Sequence, residues 1–485
     1  MKLSWQQTQD WLAIALLVLA PFSFAPSVAL PVFGFTSFRV GFYQLLLATF
    51  VLLTLWLQRR LLQWQLLSNR WLQLGVSGLL LLLVNSLLVT LNTPRTLLLG
   101  VSIGLLAGAS LAMYVYVGQL GAGLSQFMKR AGSWIVGVGA VVAAIGIVQF
   151  IVGSVDQTLV ADGLCEGCRG GIFGFPRING FAIEPQFFAN ALLPALLVTL
   201  ASQRRGQVFG ARGWATSTLI VTAFALSFSR GANLALAAAV IILVVQLVRF
   251  GKAKQLVKIG VVLVAGYLLA ATMMIGSNYL QFHDENPDIV AETFETLVEH
   301  GSAGIVELDV RSNQKLESTH VNSPRSAVSR EISSIEPFAP PQQIEASGDE
   351  RLAAAETGVS FLDNWRRRLL GVGFGNLGPY AVSQNESLPS DLTIYIQYAL
   401  VLVEAGVVGL VLFVAVHAAA VWCCLKQAAV GYPTQVALGA IMVAFMVQYF
   451  FYGTYINAAY IWVYLGLALA LSAGFSEKVL QSQPQ

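Results

Sequence analysis

Residues 215–248 read ATSTLIVTAFALSFSRGANLALAAAVIILVVQLV. Two apolar runs, near Ala215 to Phe228 and Leu234 to Val248, are separated only by Ser229 to Asn233. Each approaches the roughly 20 residues that cross a bilayer, so the stretch reads as two spans joined by a tight turn. Arg230 stands in that turn, within Ser227-Phe-Ser-Arg-Gly-Ala-Asn233. An arginine between two apolar helices is costly unless it meets a partner or an aqueous cavity; the alternative is that it snorkels to the interface. Its planar fork suits a phosphate or diphosphate.

Ten further apolar runs lie on either side, near Trp11 to Val32, Phe42 to Leu57, Leu72 to Leu91, Leu97 to Val117, Trp134 to Val152, Phe187 to Ala201, Ile259 to Ile275, Ile394 to Cys423, Val436 to Phe451 and Ala458 to Ala473. The pattern predicts an all-α polytopic membrane protein with about twelve transmembrane helices. Composition agrees: of 485 residues, 56% are hydrophobic and 11% charged, against roughly 25% charged in a soluble domain, which excludes a large soluble enzyme. The 44 glycines suit membrane helices, whose backbones approach closely at small residues.

The net charge of +3 says little until it is partitioned. With both termini in the cytoplasm, Arg59, Arg60, Arg70, Lys129, Arg130, Arg204, Arg205, Arg212, Arg249 and Lys252 fall inside, whereas the short outer loops keep Arg39, Arg95, Arg169, Arg177 and Arg230. This is the positive-inside asymmetry. The first span lacks a small-residue cleavage site and reads as a retained helix. Residues 1–276 then carry nine spans with an outer loop at 153–186, residues 277–393 form a large extracytoplasmic loop, and residues 394–485 carry three spans. Within the large loop, Asn286-Pro287 opens an amphipathic helix. Ser312 to Gly348 lacks periodicity and reads as a mobile centre, and Asp349 to Leu370 resumes a helical pattern that ends in the glycine-rich turn Gly371-Val-Gly-Phe-Gly-Asn-Leu-Gly378.

Polar chemistry concentrates in the two outer loops. Glu184 precedes Pro185 and a span: it either caps that helix or, among Arg169 and Arg177, serves as a general base toward a sugar hydroxyl. Glu404, in Val401-Leu-Val-Glu-Ala-Gly406, is a charge near the outer end of a span, with a structural hydrogen-bonding role equally open. Cys165 and Cys168 allow a short disulfide in an oxidising compartment, two unpaired thiols, or a redox pair without the usual βαβ surroundings. His283, His300, His320 and His417 have no metal-ligand spacing, and His417 reads as a buried, hydrogen-bonded residue. The glycine turn follows no strand, so it reads as a re-entry of the loop against the membrane domain rather than a nucleotide loop.

Taken in order, these segments resemble the O-antigen ligase and polymerase superfamily of bacterial surface-polysaccharide assembly. Arg177-Ile-Asn-Gly180 with Glu184-Pro185 and Phe188-Ala189 is similar to the family's Arg-x-x-Gly and acidic-Pro-x-x-Phe-Ala pattern. Phe228-Ser-Arg-Gly231 resembles its Ser-Arg-Gly signature, Arg351 with Gly371 and Gly373 its outer helix and glycine turn, and Glu404-Ala-Gly406 with Gly409 its Glu-x-Gly-x-x-Gly. The resemblance implies an architecture like the C-type membrane glycosyltransferases and a donor glycan on undecaprenyl diphosphate at the outer leaflet. Arginines hold the leaving group, transfer inverts the anomeric centre, and neither metal nor cofactor is needed. By this resemblance Arg230, Arg177, Arg351 and Glu184 are the catalytic candidates, and Arg169, Arg367, Gly371, Gly373 and Glu404 the substrate-binding ones.

Ligases of the family carry a histidine shortly before the Glu-x-Gly span. By count that position falls near Tyr395, and Asp391 to Tyr398 contains none, which favours a polymerase. Arg169 and Arg367 precede Gly180 and Gly378 by the Arg-x10-Gly spacing described for polymerases. The expected protein is therefore a polysaccharide polymerase of the bacterial inner membrane. Its partners are a lipid-linked oligosaccharide, the bilayer and other assembly proteins, without nucleic acid. A ligase is the near alternative. A small-anion transporter is the distant one, disfavoured because no internal repeat is present.

Overall fold

The computed structural model describes residues 5–23, 27–29, 39–68, 70–155, 174–182, 184–202, 211–249, 254–284, 286–301, 342–385, 394–427, 433–451 and 458–472. The expectations for Arg169, Cys165, Cys168 and residues 312–341 lie outside the described residues.

The first half of the chain forms α1 (Trp5–Val18), α2 (Phe42–Ser68), α3 (Arg70–Leu88), α4 (Thr93–Gln119), α5 (Leu124–Val155), α6 (Pro185–Ser202), α7 (Ala211–Leu226), α8 (Arg230–Arg249) and α9 (Lys254–Phe282). Four shorter helices follow, α10 (Ile289–Gly301), α11 (Gln342–Ser360), α12 (Trp365–Leu370) and α13 (Leu377–Gln384), and then α14 (Gln397–Gln427), α15 (Pro433–Gln448) and α16 (Ala459–Ser472). Among the described residues, α2, α4, α5, α8, α9 and α14 contain stretches long and apolar enough to cross a membrane, and α3, α6, α7, α15 and α16 hold shorter apolar ones.

Three of these shorter helices are surrounded by protein rather than lipid. Leu192, Leu193, Leu196 and Leu197 of α6, Ala440, Ile441, Ala444 and Phe445 of α15 and Tyr460, Ile461 and Tyr464 of α16 are all buried. A helix apolar around its whole circumference belongs in an interior. α15 packs against α6, α8 and α14, and α16 against α4 and α14. The α4–α16 contact is backbone-close: a Cβ on Gly466 would overlap the Ser110 carbonyl, and Ser110 Oγ donates to the Trp462 carbonyl at 2.6 Å. Small residues permit such approach between membrane helices. The longer helices turn large apolar side chains outward, among them Leu52 and Leu55 of α2 and Val261, Val264 and Leu268 of α9.

One element departs from the sequence pattern. The apolar run from Trp11 to Val32 is not one helix: α1 stops at Val18, and Pro21 sits in a 3-10 turn at Ala20–Phe22. Proline lacks the N–H a continuing helix needs and its ring clashes with the preceding turn. The chain then forms β1 (Ser27–Ala29), which pairs antiparallel with β2 (Arg39–Gly41), Val28 opposite Val40. The described fold is helical apart from this ribbon. α11 also begins at Gln342, ahead of the Asp349 where the periodicity starts.

The α3–α4 and α7–α8 connections, the segment 174–182 ahead of α6, the helices α10–α13 and the turn after α15 gather at one end of the bundle. Asn278 of α9 donates to Thr293 of α10 at 2.8 Å, and Gln281 donates to the Ser154 carbonyl at the end of α5 at 2.9 Å. Arg177, Arg230 and Arg351 lie at this end.

Candidate functional site

Arg177 is carried on a turn that one side chain of α5 ties to the bundle. Gln149 Oε1 accepts the backbone N–H groups of Asn179 (3.2 Å) and Gly180 (2.9 Å), while its Nε2 donates to Asn179 Oδ1 at 2.6 Å. Asn179 is fully buried and its Nδ2 donates to the Ala182 carbonyl at 2.8 Å. Gly180 has φ +53°, and a Cβ there would run into the Phe188 ring, so glycine is required where the turn meets α6.

The α7–α8 turn is the partner surface. Phe228 is the one non-glycine residue with positive φ (49°) among the described residues, a conformation that is an outlier for a bulky side chain. It is held by edge-on contact with Phe175, ring centroids 5.1 Å apart, and by Arg177, whose Nε and Nη2 donate to the carbonyls of Ser227 (3.3 Å) and Phe228 (3.1 Å). The strained turn places half-buried Arg230 at the first position of α8. Ser229 Oγ accepts the Ala232 N–H at 3.4 Å. No acidic residue occupies the first turn of α8, although a helix N-terminus carries partial positive charge and normally attracts one. An arginine there adds a full positive charge to the same end, an arrangement complementary to an anion.

Arg351 of α11 reaches the same region. Its Nη1 donates to the Phe451 carbonyl at 2.8 Å, and its guanidinium lies 5.7 Å from the centroid of the Tyr395 ring. Phe451 in turn packs on Gly231, where a Cβ would sit 2.6 Å from the phenylalanine Cβ. Burial lowers Arg177 to about 10, opposed by Glu184 and reinforced by Arg230 and Arg351. It stays charged at neutral pH, and the three residues that act on it are those the sequence singled out. Glu184, Arg230 and Arg351 are therefore each within electrostatic reach of Arg177. Glu184 opens α6 with its carbonyl, which accepts from Phe187 (3.1 Å) and Phe188 (3.2 Å), and its Oε2 accepts from Gln186 Nε2 at 2.6 Å.

Glu404 and the glycine turn occupy a different place. Glu404 is buried, its Oε1 accepts the Gly375 N–H at 3.0 Å and its carbonyl accepts the Gly373 N–H at 2.9 Å. α14 breaks at Gly406 (φ +68°), whose Cβ would overlap the Leu369 carbonyl, and Gly371 (φ +73°) presses equally on the Glu404 backbone. The turn re-enters the bundle by backbone contact, with Glu404 as its hydrogen-bond acceptor. Its far side rests on the α3–α4 connection, where Asn376 Oδ1 accepts from Thr90 Oγ1, Leu91 N and Thr96 Oγ1 at 3.2–3.3 Å. Arg367 forms a two-pronged ion pair with Asp363 at 2.6 and 2.8 Å and lies over the Tyr380 ring.

Gln149, Phe451 and Asn376 were not visible as site residues in the sequence. A glutamine set in the apolar second half of α5 was the only hint of the first; Phe451 acts through its backbone carbonyl and Asn376 through a side chain whose partners are distant in sequence. His417 is buried in α14 between the Phe413 carbonyl (2.8 Å) and the Tyr449 hydroxyl (3.2 Å). Among the described residues no group of His, Cys, Asp or Glu is arranged to hold a metal ion.

A comparison with curated proteins found no match. Residues 215–414 match the family model described as O-antigen ligase. That span takes in Arg230, Arg351, the glycine turn and Glu404, and leaves Arg177 and Glu184 outside. This stretch is thus similar to an O-antigen ligase domain, and the match supports a place in the O-antigen ligase and polymerase superfamily.

Proposed function

We propose that this protein polymerises a surface or exopolysaccharide, moving a growing glycan from undecaprenyl diphosphate to a lipid-linked repeat unit at the outer leaflet. The family match supports glycan transfer of this general type. The observation that carries the finer reading is the convergence of Arg177, Arg230, Arg351 and Glu184 at one end of a membrane bundle. Twelve spans, a C-type glycosyltransferase architecture and cytoplasmic termini in a bacterial inner membrane belong to the same proposal.

In this scheme the acceptor hydroxyl oxygen bonds to the anomeric carbon from the face opposite the diphosphate as the bond to the diphosphate oxygen breaks. The electron pair leaves with the diphosphate. Arg230 and the N-terminus of α8 receive that charge, which is electrostatic stabilisation where charge develops. Arg351 adds a second cation from the outer loop. Arg177 has two donors committed to the Ser227 and Phe228 carbonyls, so its part is to hold the turn and contribute field. Glu184 takes the hydroxyl proton. Arg367, paired with Asp363, serves the loop's structure in this scheme, and neither metal nor nucleotide takes part.

Arg230→Ala is the test. Loss of polymer above a single repeat unit in cells that retain the folded protein supports the scheme; an unchanged length distribution overturns it. With purified protein and a lipid-linked oligosaccharide, carrier-linked ladders identify a polymerase, and label appearing on a second acceptor identifies a ligase.

A further inference from the structure

The end of the bundle remote from the arginines holds a polar cavity of about 340 Å³, bounded by the start of α1, the break in α2, the end of α4 and the turn that leads from it into α5. α4 runs 27 residues from the Asn376 contact to this cavity, about 40 Å at 1.5 Å per residue. Its lining is almost free of apolar side chains: Gln9, Asp10, Gln58, Tyr116 and Gln119 face it. α2 leaves helical geometry at Gln58 (φ −119°, ψ 20°). That residue is 6% exposed; its Nε2 donates to Gln9 Oε1 at 3.1 Å, and its Oε1 is buried with no hydrogen-bond partner. Gln9 Nε2 is engaged by Thr54 Oγ1 at 2.9 Å, and the Tyr116 hydroxyl donates to Asp10 Oδ1 at 2.7 Å. The cavity therefore presents an orphaned carbonyl oxygen and a carboxylate with acceptor capacity to spare. A buried acceptor left unpaired is costly; a cationic N–H donor satisfies both at once and adds the charge that a carboxylate binds most strongly.

The rim says where that donor comes from. Trp5 and Trp56, each about 60% exposed, stack edge-on at 5.4 Å beside the cavity, and exposed indoles mark the headgroup level of a bilayer. Arg130 lies close enough to Tyr116 to act on it electrostatically, which supplies a cation for a phosphate beside an ammonium.

We propose that this cavity binds the headgroup of a primary-ammonium phospholipid of the adjoining leaflet, its ammonium between Asp10 and Gln58 Oε1 and its phosphate toward Arg130. The site is independent of glycan transfer at the opposite face.

The full-length chain in detergent, offered equal amounts of phosphatidylethanolamine, phosphatidylcholine and phosphatidylglycerol with identical acyl chains, is read by native mass spectrometry. Phosphatidylcholine has no N–H on its cation and phosphatidylglycerol has no cation. Retention of phosphatidylethanolamine about tenfold above either is expected, the scale of one charge-assisted hydrogen bond. Asp10→Asn and Gln58→Leu should each bring it down to the phosphatidylcholine level. Equal retention of the three lipids by the wild-type chain overturns the proposal without any variant, and a preference that survives both substitutions overturns its assignment to this cavity. Displacement of the lipid by millimolar phosphoethanolamine would overturn the lipid source and leave an ammonium site.

Discussion

Replacing Gln149 with leucine isolates the contact on which the Arg177 turn depends. The side chain of similar size removes the acceptor of two N–H groups and the donor to Asn179 Oδ1. Each buried polar group left unpaired costs about 1–3 kcal/mol. The three belong to one network, so their costs do not add. The Asn179–Ala182 bonds survive and keep the turn's inner loop closed. A net loss of about 3 kcal/mol corresponds to roughly a hundredfold increase in local opening. Hydrogen–deuterium exchange on the detergent-solubilised protein reads this directly: the Asn179 and Gly180 amides should exchange roughly a hundredfold faster, while peptides from α16 remain unchanged. Gln149→Glu keeps the acceptor of both N–H groups but turns a second carboxylate oxygen toward Asn179 Oδ1 in place of the donor, so it should accelerate the same amides less than leucine does. Unaltered protection at Asn179 and Gly180, or equal loss across the bundle, would refute the reasoning. Because the turn carries Arg177, the leucine variant should also shorten polymer in cells.

Further outcomes follow from neighbouring features. Gly406→Ala and Gly371→Ala each force a Cβ against backbone in a left-handed conformation. Strain and overlap together should cost about 3–5 kcal/mol, seen as rapid proteolysis between Trp365 and Gln384 in folded protein. Asn376→Leu removes the acceptor of three donors and should free the same segment, whereas Asn376→Asp, which keeps the acceptor, should be tolerated. Arg351→Gln should lower transfer more than it lowers stability, since its bond to the Phe451 carbonyl is one of many contacts of α11. Arg177, lowered to about 10 by burial, stays protonated between about pH 6 and 8, so the transfer rate should show no inflection from it in that range; an inflection abolished by Arg177→Lys would contradict this.

Much of the architecture was readable because hydrocarbon imposes a coarse rule: long apolar runs separated by polar turns. The rule fails where protein replaces lipid. α15 and α16 are apolar on every side, so hydropathy marks them but cannot tell a lipid-facing helix from an interior one, and in the run from Trp11 to Val32 the hydropathy hides what Pro21, Pro26 and Pro31 signal, that α1 ends at Val18. The site divides similarly. Arg230 was conspicuous because charge is scarce around it. Glu184 and Glu404 had two readings each in the sequence, and in the fold Glu404 receives backbone N–H groups of the glycine turn. Gln149 was unreadable, since its role exists only when residues thirty positions apart meet. Arg177 was recognised as a charge, but its grip on two backbone carbonyls depends on Phe228 adopting a conformation that no propensity favours.

The glycine turn held between α14 and the α3–α4 connection bears on what counts as a physical unit. The family-matched stretch, 215–414, is contiguous in sequence, yet its contacts are not self-sufficient. Asn85 donates to the Leu370 carbonyl, Ser86 Oγ accepts from Phe374, and Thr90, Leu91 and Thr96 converge on Asn376. Beyond the other boundary, Phe451 receives Arg351 and Tyr449 receives Gln397. Excised at its boundaries, the segment would lose the ledge under its own loop and the seat of its outer arginine. Heredity marks out a module here that folding does not recognise: the part most visible as a lineage is assembled only inside helices that belong to the rest of the chain.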